Sequence, residues 1–131
     1  MELIRVVIRI DRTLTEQLWA SRLEGSHCKI ENVPILAYDM SLHDIVEVDR
    51  RLRVLGVHRK SGNRTVRMSL RDLHIAREKL VDEITVLGCR GEIAVDRVLA
   101  INVLPNVPLE AVTSVVARAG PDWETSDPSS R

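Results

Sequence analysis

Aromatic residues are almost missing from this sequence. Phenylalanine is absent, and Trp19, Tyr38 and Trp123 are the only aromatic side chains among 131 residues. Proteins that stack nucleic-acid bases or sugar rings rely on aromatic faces. The composition therefore disfavours carbohydrate-binding proteins and stacking platforms for single-stranded nucleic acids.

Cysteine is scarce, and long apolar runs are missing. Cys28 and Cys89 are the only two thiols. The first ten residues, MELIRVVIRI, carry one glutamate and two arginines, which suits a β-strand better than a secretory leader. No stretch approaches the ~18 consecutive apolar residues of a membrane span. We therefore expect a cytoplasmic protein that keeps both thiols reduced and has no membrane partner.

Net charge is also absent, because 19 basic and 19 acidic residues balance. The balance hides a strong asymmetry along the chain. Eight basic residues and no acidic ones lie from Arg50 to Arg71, which leaves eleven basic against nineteen acidic residues elsewhere. Such segregation indicates an anionic partner. The alternative is a charged surface that pairs with the acidic remainder of the same chain.

Short, evenly spaced β-strands are the pattern of the first half. Extended segments are predicted at residues 4–10, 17–23, 27–32, 44–48 and 51–59. Such spacing is typical of a small barrel or a strongly curled sheet. We predict that residues 1–60 form a β-barrel-like N-terminal half.

The second half changes to a helical period. Apolar residues recur there at steps of three and four, at Leu73, Ala76, Leu80, Ile84 and Leu87. Ser69 or Asp72 is expected to cap this helix, and Gly88 is expected to end it. A second helix is predicted to follow Pro108 and to end at Gly120.

Strands are predicted around these two helices, with the sequences RTVRMSL, GEIAV, VLAINVL and DWET. The resulting order, β-α-β-β-α-β, is typical of the ferredoxin-like fold. We therefore predict an α+β protein in which the N-terminal curled sheet or barrel is followed by a ferredoxin-like half over residues 61–126. Residues 127–131 are predicted to be a disordered tail, and the chain as a whole one compact unit.

The segment RKSGNRTVR, residues 59–67, has the most one-sided charge. Gly62 accepts the positive φ of a tight turn, so the segment is predicted to be the tip of a hairpin. Pairing of the flanking strands would form a basic ribbon, whose guanidinium groups suit carboxylates and phosphates. The predicted binding residues are Arg53, Arg59, Lys60, Ser61, Asn63, Arg64, Thr65 and Arg67. The alternative is an ordinary charged hairpin that pairs internally.

A catalytic site has weaker support in the sequence. Cys89 lies beside Arg90 at a predicted helix end, and a nearby arginine can activate a thiol as a nucleophile. For an enzyme, we predict Cys89, Glu92 and Asp44 as catalytic residues, with Arg67 in the same site. The alternative is a small buried cysteine and a set of solvated carboxylates. The four histidines have no metal-pair spacing, so no metal and no cofactor are predicted.

Five motifs occur in a fixed order: LWA (18–20), IENVPILAYDMSLHDIVEV (30–48), SGNRTVR (61–67), LGCRGE (87–92) and LAINVLP (99–105). Together they resemble a family of small bacterial proteins, common in actinobacteria, that is catalogued only as a domain of unknown function. The resemblance covers nearly the whole chain and implies a compact bacterial cytoplasmic protein with no assigned reaction. The family tends to have Gly-Asp where this chain has His43-Asp44, and an aromatic residue where it has Ile35-Leu36.

Three classes of function remain. The first is a non-catalytic interaction protein, of the immunity, self-resistance or regulatory kind, whose Arg-rich hairpin contacts an acidic protein or a small anionic ligand. The second is a small enzyme that acts on an anionic metabolite in the crevice between the two halves. The third is a nucleic-acid-binding protein, which the neutral net charge and the missing aromatics disfavour. We favour the first class, as a monomer or a homodimer.

Overall fold

Nine strands and two helices lie in residues 2–94 and 97–125, the residues that this computed structural model describes. The chain divides into a first unit, Met1–Asn63, and a second unit, Arg64–Arg131. Helices and antiparallel sheets together confirm the predicted α+β class. The predicted tail, 127–131, lies outside the described residues.

The first unit is a five-stranded antiparallel sheet whose strands follow one another in chain order. The strands are β1 (Leu3–Arg9), β2 (Thr15–Arg22), β3 (His27–Ile30), β4 (Ile45–Val48) and β5 (Val54–Arg59). Side chains alternate between the two faces of a strand, so every second residue points inward. The centre of the resulting core is formed by Val6, Leu18, Ala20, Ile30 and Val46.

The first and last strands of this sheet meet at one point, which we call the seam. Val7 of β1 and Arg53 form an isolated parallel bridge, and the Val7 amide donates a hydrogen bond to the Leu52 carbonyl over 2.9 Å. Leu52 has a φ of 63°, in the left-handed region that is unfavourable for a leucine. The sheet is therefore curled, and a single bridge joins its two edges within the described residues.

The second unit packs two helices against one face of a four-stranded antiparallel sheet. Its elements are β6 (Arg64–Ser69), α1 (Arg77–Val86), β7 (Arg90–Ala94), β8 (Val98–Val103), α2 (Leu109–Ala119) and β9 (Trp123–Thr125). The strand order across the sheet is β7-β8-β6-β9. Val66 and Met68 of β6 pack with Leu80 of α1 and Val116 of α2 in one apolar cluster.

The predicted hairpin around residues 59–67 is wrong. β5 pairs with β4 in the first sheet, whereas β6 pairs with β8 and β9 in the second sheet. The expected turn chemistry is present, because Gly62 has a φ of 90°. Local turn residues make the chain bend, but the apolar face of β6, with Val66 and Met68, selects its partner strands.

Helix α1 begins later than predicted. Ser69 belongs to β6, and the N-cap position is Ala76 rather than Asp72, so the helix begins without a side-chain capping hydrogen bond. The end of the helix is as predicted. Gly88 has a φ of 81°, and its amide donates to the carbonyl of Thr85.

Candidate functional site

The predicted binding residues separate into an exposed group and an internal group. The exposed cations of this set, all in the first unit, are Arg53, Arg59 and Lys60. Arg64 belongs to the internal group, because its Nη2 donates to the carbonyl oxygens of Leu104 (3.0 Å) and Val107 (2.6 Å). These two bonds tie β6 to the loop before α2, so Arg64 is a structural residue of the second unit.

Arg67 and Thr65 are also internal. Their exposed fractions are 5% and 0%, and both lie on the face of β6 opposite to Val66. Arg67 is in register with Ala100 on β8 and with Glu124 on β9. The prediction that Arg67 projects into solvent beside Arg53 or Arg59 is therefore wrong, because the second face of this strand is buried as well.

Ser61 and Asn63 anchor the segment between the two sheets. The Ser61 hydroxyl and the Asn63 side-chain amide both donate to the carbonyl of Leu42, over 2.7 Å and 2.9 Å. The Ser61 hydroxyl also accepts a bond from the Asn63 main-chain amide. Both side chains thus fix the chain locally instead of projecting toward a ligand.

Asp44 is a buried anchor with occupied oxygens. It is fully excluded from solvent, and its carboxylate accepts main-chain hydrogen bonds from Ser61 (2.7 Å) and Ser41 (2.9 Å). The Nζ of Lys60 lies 3.6 Å from the second of these oxygens. The geometry assigns Asp44 to holding the loop before β4 against the end of β5.

Cys89 lies in the apolar core of the second unit and is only 6% exposed. Burial raises the pKa of its thiol above the ordinary value, although a Leu104 hydrogen bond and the Arg64 charge act in the opposite direction. A raised pKa disfavours the thiolate that a nucleophile needs. Glu92 pairs with Arg90 at 2.9 Å.

A fixed turn carries three exposed arginines of the basic run, Arg50, Arg51 and Arg53. Residues 49–53, which we call the arginine turn, connect β4 to β5. One oxygen of Asp49 accepts the main-chain amides of Arg51 and Arg53, both at 2.9 Å, and the other accepts the Arg53 Nε at 2.7 Å. The Arg53 amide, more than any other contact, holds the pKa of Asp49 below its ordinary value.

Arg50 and Arg51 project from this turn. Both are exposed, and neither side chain makes a hydrogen bond or an ion pair within residues 2–94 and 97–125. The turn beneath them is fixed from two directions, by Asp49 and by the seam bond from Val7 to Leu52. The two guanidinium groups are therefore presented to solvent on a rigid backbone.

A groove of about 550 Å³ lies along the seam. It is lined by Val7, Arg9, Asp11, Arg12, Thr13, Thr15, Asp49, Arg53, Val54 and Leu55. Each of its two carboxylates accepts hydrogen bonds from main-chain amides of the turn in which it lies. Asp11 accepts the amides of Thr13 (2.8 Å) and Leu14 (2.9 Å), and Asp49 accepts the amides of the arginine turn described above. The Thr13 amide holds the pKa of Asp11 below its ordinary value. We call this feature the seam groove.

A second groove, of about 530 Å³, lies on the other side of the arginine turn. Arg22 and Arg50 line it together with Asp49, which also lines the seam groove. The arginine turn thus stands between two concave surfaces that both carry guanidinium groups. Arginine forks bind carboxylates and phosphates in two-point contacts, so the arrangement suits an acidic partner.

Three cations of this surface, Arg9, Arg12 and Arg22, were missed by the sequence analysis. They lie far from the basic run at residues 50–71 and alternate with acidic residues such as Asp11. Their positions in the predicted β1–β2 hairpin could have indicated them. If the first sheet is expected to curl, the end of β1 returns to the start of β5, and the arginines of this hairpin then lie near the basic run.

The histidines give no metal centre. The rings of His27 on β3 and His58 on β5 stack with centroids 4.1 Å apart, a side-chain contact between two strands that are separated in the sheet by β4. Among the described residues, no group of three or more His, Cys, Asp or Glu side chains could hold a metal ion. Nor does any helix in this part of the chain reach the length and apolarity of a membrane span.

Comparisons with known proteins identify a family and a solved structure whose descriptions name no activity. A family model described as "Domain of unknown function (DUF4265)" matches residues 16–124. The crystal structure of a hypothetical protein from Neisseria gonorrhoeae is similar to this chain, with a TM-score of 0.75 and 19% sequence identity over 90% of this chain and 87% of that chain. At this identity the similarity shows the fold alone. No match was found among curated proteins.

Proposed function

We propose that this chain, which belongs to the DUF4265 family, is a small binding protein that contacts an acidic surface of another protein through the arginine turn of its first unit. The observation that carries the proposal is the exposed pair Arg50 and Arg51, which stand on a fixed turn without internal partners among the described residues. Arg12 and Arg53 on one side and Arg22 on the other extend the positive surface.

Rigidity is what makes this surface suitable for recognition. A flexible cationic loop loses conformational freedom when it binds, which weakens the complex. The arginine turn has already lost that freedom, because Asp49 and the seam hold its backbone. Rim charges of this kind accelerate association and select partners of opposite charge. A role of the immunity, self-resistance or regulatory kind in a bacterial cytoplasm would use such a surface.

We also propose that the second unit is ferredoxin-like. Its elements run β-α-β-β-α-β, and its strand order places the first and third strands of the unit, β6 and β8, side by side in the centre. In this proposal the second unit is a scaffold, since its arginines at positions 64 and 67 are internal. The contact surface belongs to the first unit.

The proposal is tested with two charge-matched variants. The first replaces Arg12, Arg50 and Arg51 by Gln, and the control replaces Arg71, Arg77 and Arg118, three exposed arginines of the second unit whose side chains also make no ion pair in the described residues. The probe is fluorescent poly-L-glutamate, measured by anisotropy at low salt. We expect the first variant to raise Kd about tenfold, because each rim charge contributes roughly 0.5 kcal/mol, and the control to bind like wild type.

Two further probes identify the class of partner. A mixed-sequence DNA or RNA oligonucleotide that binds more tightly than polyglutamate, with a steep loss in salt, would replace the acidic protein by a nucleic acid. Pyrophosphate that displaces polyglutamate at comparable concentration would replace it by a small anionic ligand. Failure of polyglutamate to bind wild type, or equal binding by the two variants, overturns the proposal.

A further inference from the structure

Beyond the seam, the outer side of β5 has no strand partner among the described residues. β5 pairs with β4 on one side, and the bridge between Val7 of β1 and Arg53, just before β5, is the only main-chain pairing on its other side among the described residues. It is the one strand of the first sheet without a buried residue. Leu55 is 66% exposed, and a Cβ added at Gly56 would meet nothing within 4 Å. Such an edge presents main-chain N–H and C=O groups to an added strand.

The start of this edge opens into the seam groove. Val54 and Leu55 line the groove, and across from them lie Arg9 and Arg12 of the β1–β2 hairpin. Arg53 and Arg59 flank the edge at its two ends, and both are exposed. A segment that entered the groove and continued along β5 would therefore pass guanidinium groups at its beginning and at its end, with an apolar wall between them.

A second copy of this chain is a poor occupant for the edge. Two copies paired along β5 would bring arginines of like charge together at both ends. Charge complementarity selects an acidic strand instead.

We propose that an extended acidic segment of the partner adds to the outer edge of β5 as a further strand, with its first residues in the seam groove. This inference rests on the proposed function and specifies how the acidic partner binds. Main-chain hydrogen bonds supply the pairing, while carboxylates that alternate with small apolar residues meet the arginines and the apolar wall of Val54 and Leu55.

The test uses two peptides of identical charge. The first has about ten residues of alternating glutamate and valine with blocked ends, and the second carries N-methyl groups on alternate main-chain nitrogens, which removes the donors of one edge. We expect the methylated peptide to bind wild type at least about tenfold more weakly, because strand addition depends on these donors. We also expect the unmethylated peptide to slow hydrogen exchange at the amides of residues 54–59.

The outcomes separate this inference from the proposed function. Equal binding of both peptides, with unchanged exchange in β5 but weaker binding by the Arg12, Arg50 and Arg51 variant, overturns strand addition and leaves the acidic contact in place. Protection of β5 with no loss in that variant supports strand addition and overturns the arginine turn as the contact. Protection that rises with protein concentration in the absence of peptide makes a second copy the occupant and overturns the inference.

Discussion

In the first unit the arginines of the basic run stay at the surface, whereas in the second unit the two arginines of the run that belong to β6 are internal and Arg71, which follows that strand, is exposed. Arg53 and Arg59 are exposed, but Arg64 donates to two carbonyls and Arg67 is 5% exposed. The boundary between the units, after Asn63, falls in the middle of the run. Sheet membership, and not sequence neighbourhood, therefore decides whether a cation is available to a partner.

The units also differ in how they are held together. The second unit relies on helices that bury apolar side chains against a sheet. The first unit, which has no helix among residues 2–63, uses buried or turn-forming carboxylates as acceptors for main-chain amides. Besides Asp44 and Asp49, Glu16 accepts the amides of Ile35 (2.7 Å), Leu36 (3.1 Å) and Ala37 (3.0 Å) and fixes the loop before β4.

Thiol labelling offers the largest expected effect, because each unit contains one free buried cysteine, Cys28 in the first and Cys89 in the second. Burial raises the pKa of both thiols. We expect each to react with a thiol reagent on the order of a thousandfold more slowly than in the unfolded chain, because labelling requires opening of its unit. The Cys28→Ser variant keeps only Cys89 and the Cys89→Ser variant keeps only Cys28, so their labelling rates belong to single thiols. Rapid labelling of Cys89 in the native protein would support its role as a nucleophile.

Substitution of arginine should affect the two units very differently. Arg67→Gln should lower the free energy of unfolding by about 3 kcal/mol, because it removes most of a long side chain from a buried position. Arg59→Gln, at the surface of the first unit, should stay within about 0.5 kcal/mol of wild type. Urea denaturation measures both, and equal losses would show that the two arginines have comparable environments.

Removal of a main-chain anchor should destabilise the first unit. Asp44→Ala leaves the amides of Ser41 and Ser61 without their acceptor in a solvent-excluded position, and we expect a loss of about 2 kcal/mol. The control, Lys60→Met, removes an ammonium group that is 60% exposed and should cost less than about 1 kcal/mol. A larger loss for the control would mean that the Lys60 ammonium, through its ion pair with Asp44 and its bond to the Asp39 carbonyl, stabilises this loop more than the main-chain bonds do.

Acid should loosen the arginine turn through Asp49. Because the pKa of this group is lowered on folding, its contribution is present above the unfolded value and is lost as the pH falls through the lower folded value. Asp49→Asn should therefore be less stable than wild type at neutral pH. The difference in the free energy of unfolding should begin to shrink as the pH falls below about 4 and should vanish below the folded pKa. Unfolding curves from pH 7 to 2 test this, and a difference that is constant with pH would contradict it.

Backbone strain is the smallest expected difference between the units. Among the described residues, the non-glycine residues with positive φ are His43 and Leu52, both in the first unit. His43→Gly should be more stable than His43→Ala by about 1 kcal/mol, because both lose the imidazole and only alanine keeps the unfavourable Cβ. Equal stability of the two variants would show that the chain relaxes at this position.

The sequence predicted much of the local structure but not the choice of partner strands. Alternation placed Val66 and Met68 on one face of β6 and Thr65 and Arg67 on the other, and the structure agrees, since only the first two belong to the apolar cluster of the second unit. Alternation cannot show that the second face is buried too, since that depends on residues far away in the chain. The family resemblance is confirmed. His43 has a φ of 68°, a backbone conformation that glycine adopts more readily than histidine.

The candidate site was predicted in part. The basic run correctly led to Arg53 and Arg59 as exposed cations, but the ribbon geometry was wrong because β5 and β6 belong to different sheets. Arg9 and Arg12 reach the seam groove through the curl of the first sheet, which depends on one long-range bridge. The bridge joins residues 7 and 53, which are too far apart in the sequence for local patterns to predict their contact.

Leu52 closes the first sheet with its carbonyl while its own backbone is held in an unfavourable conformation. We therefore expect the hydrogen bond between the Val7 amide and the Leu52 carbonyl to break before the rest of the first sheet when the protein is heated. A partner strand along the outer edge of β5 would stabilise the region around this hydrogen bond. Complex formation should therefore raise the melting temperature of the first unit more than that of the second.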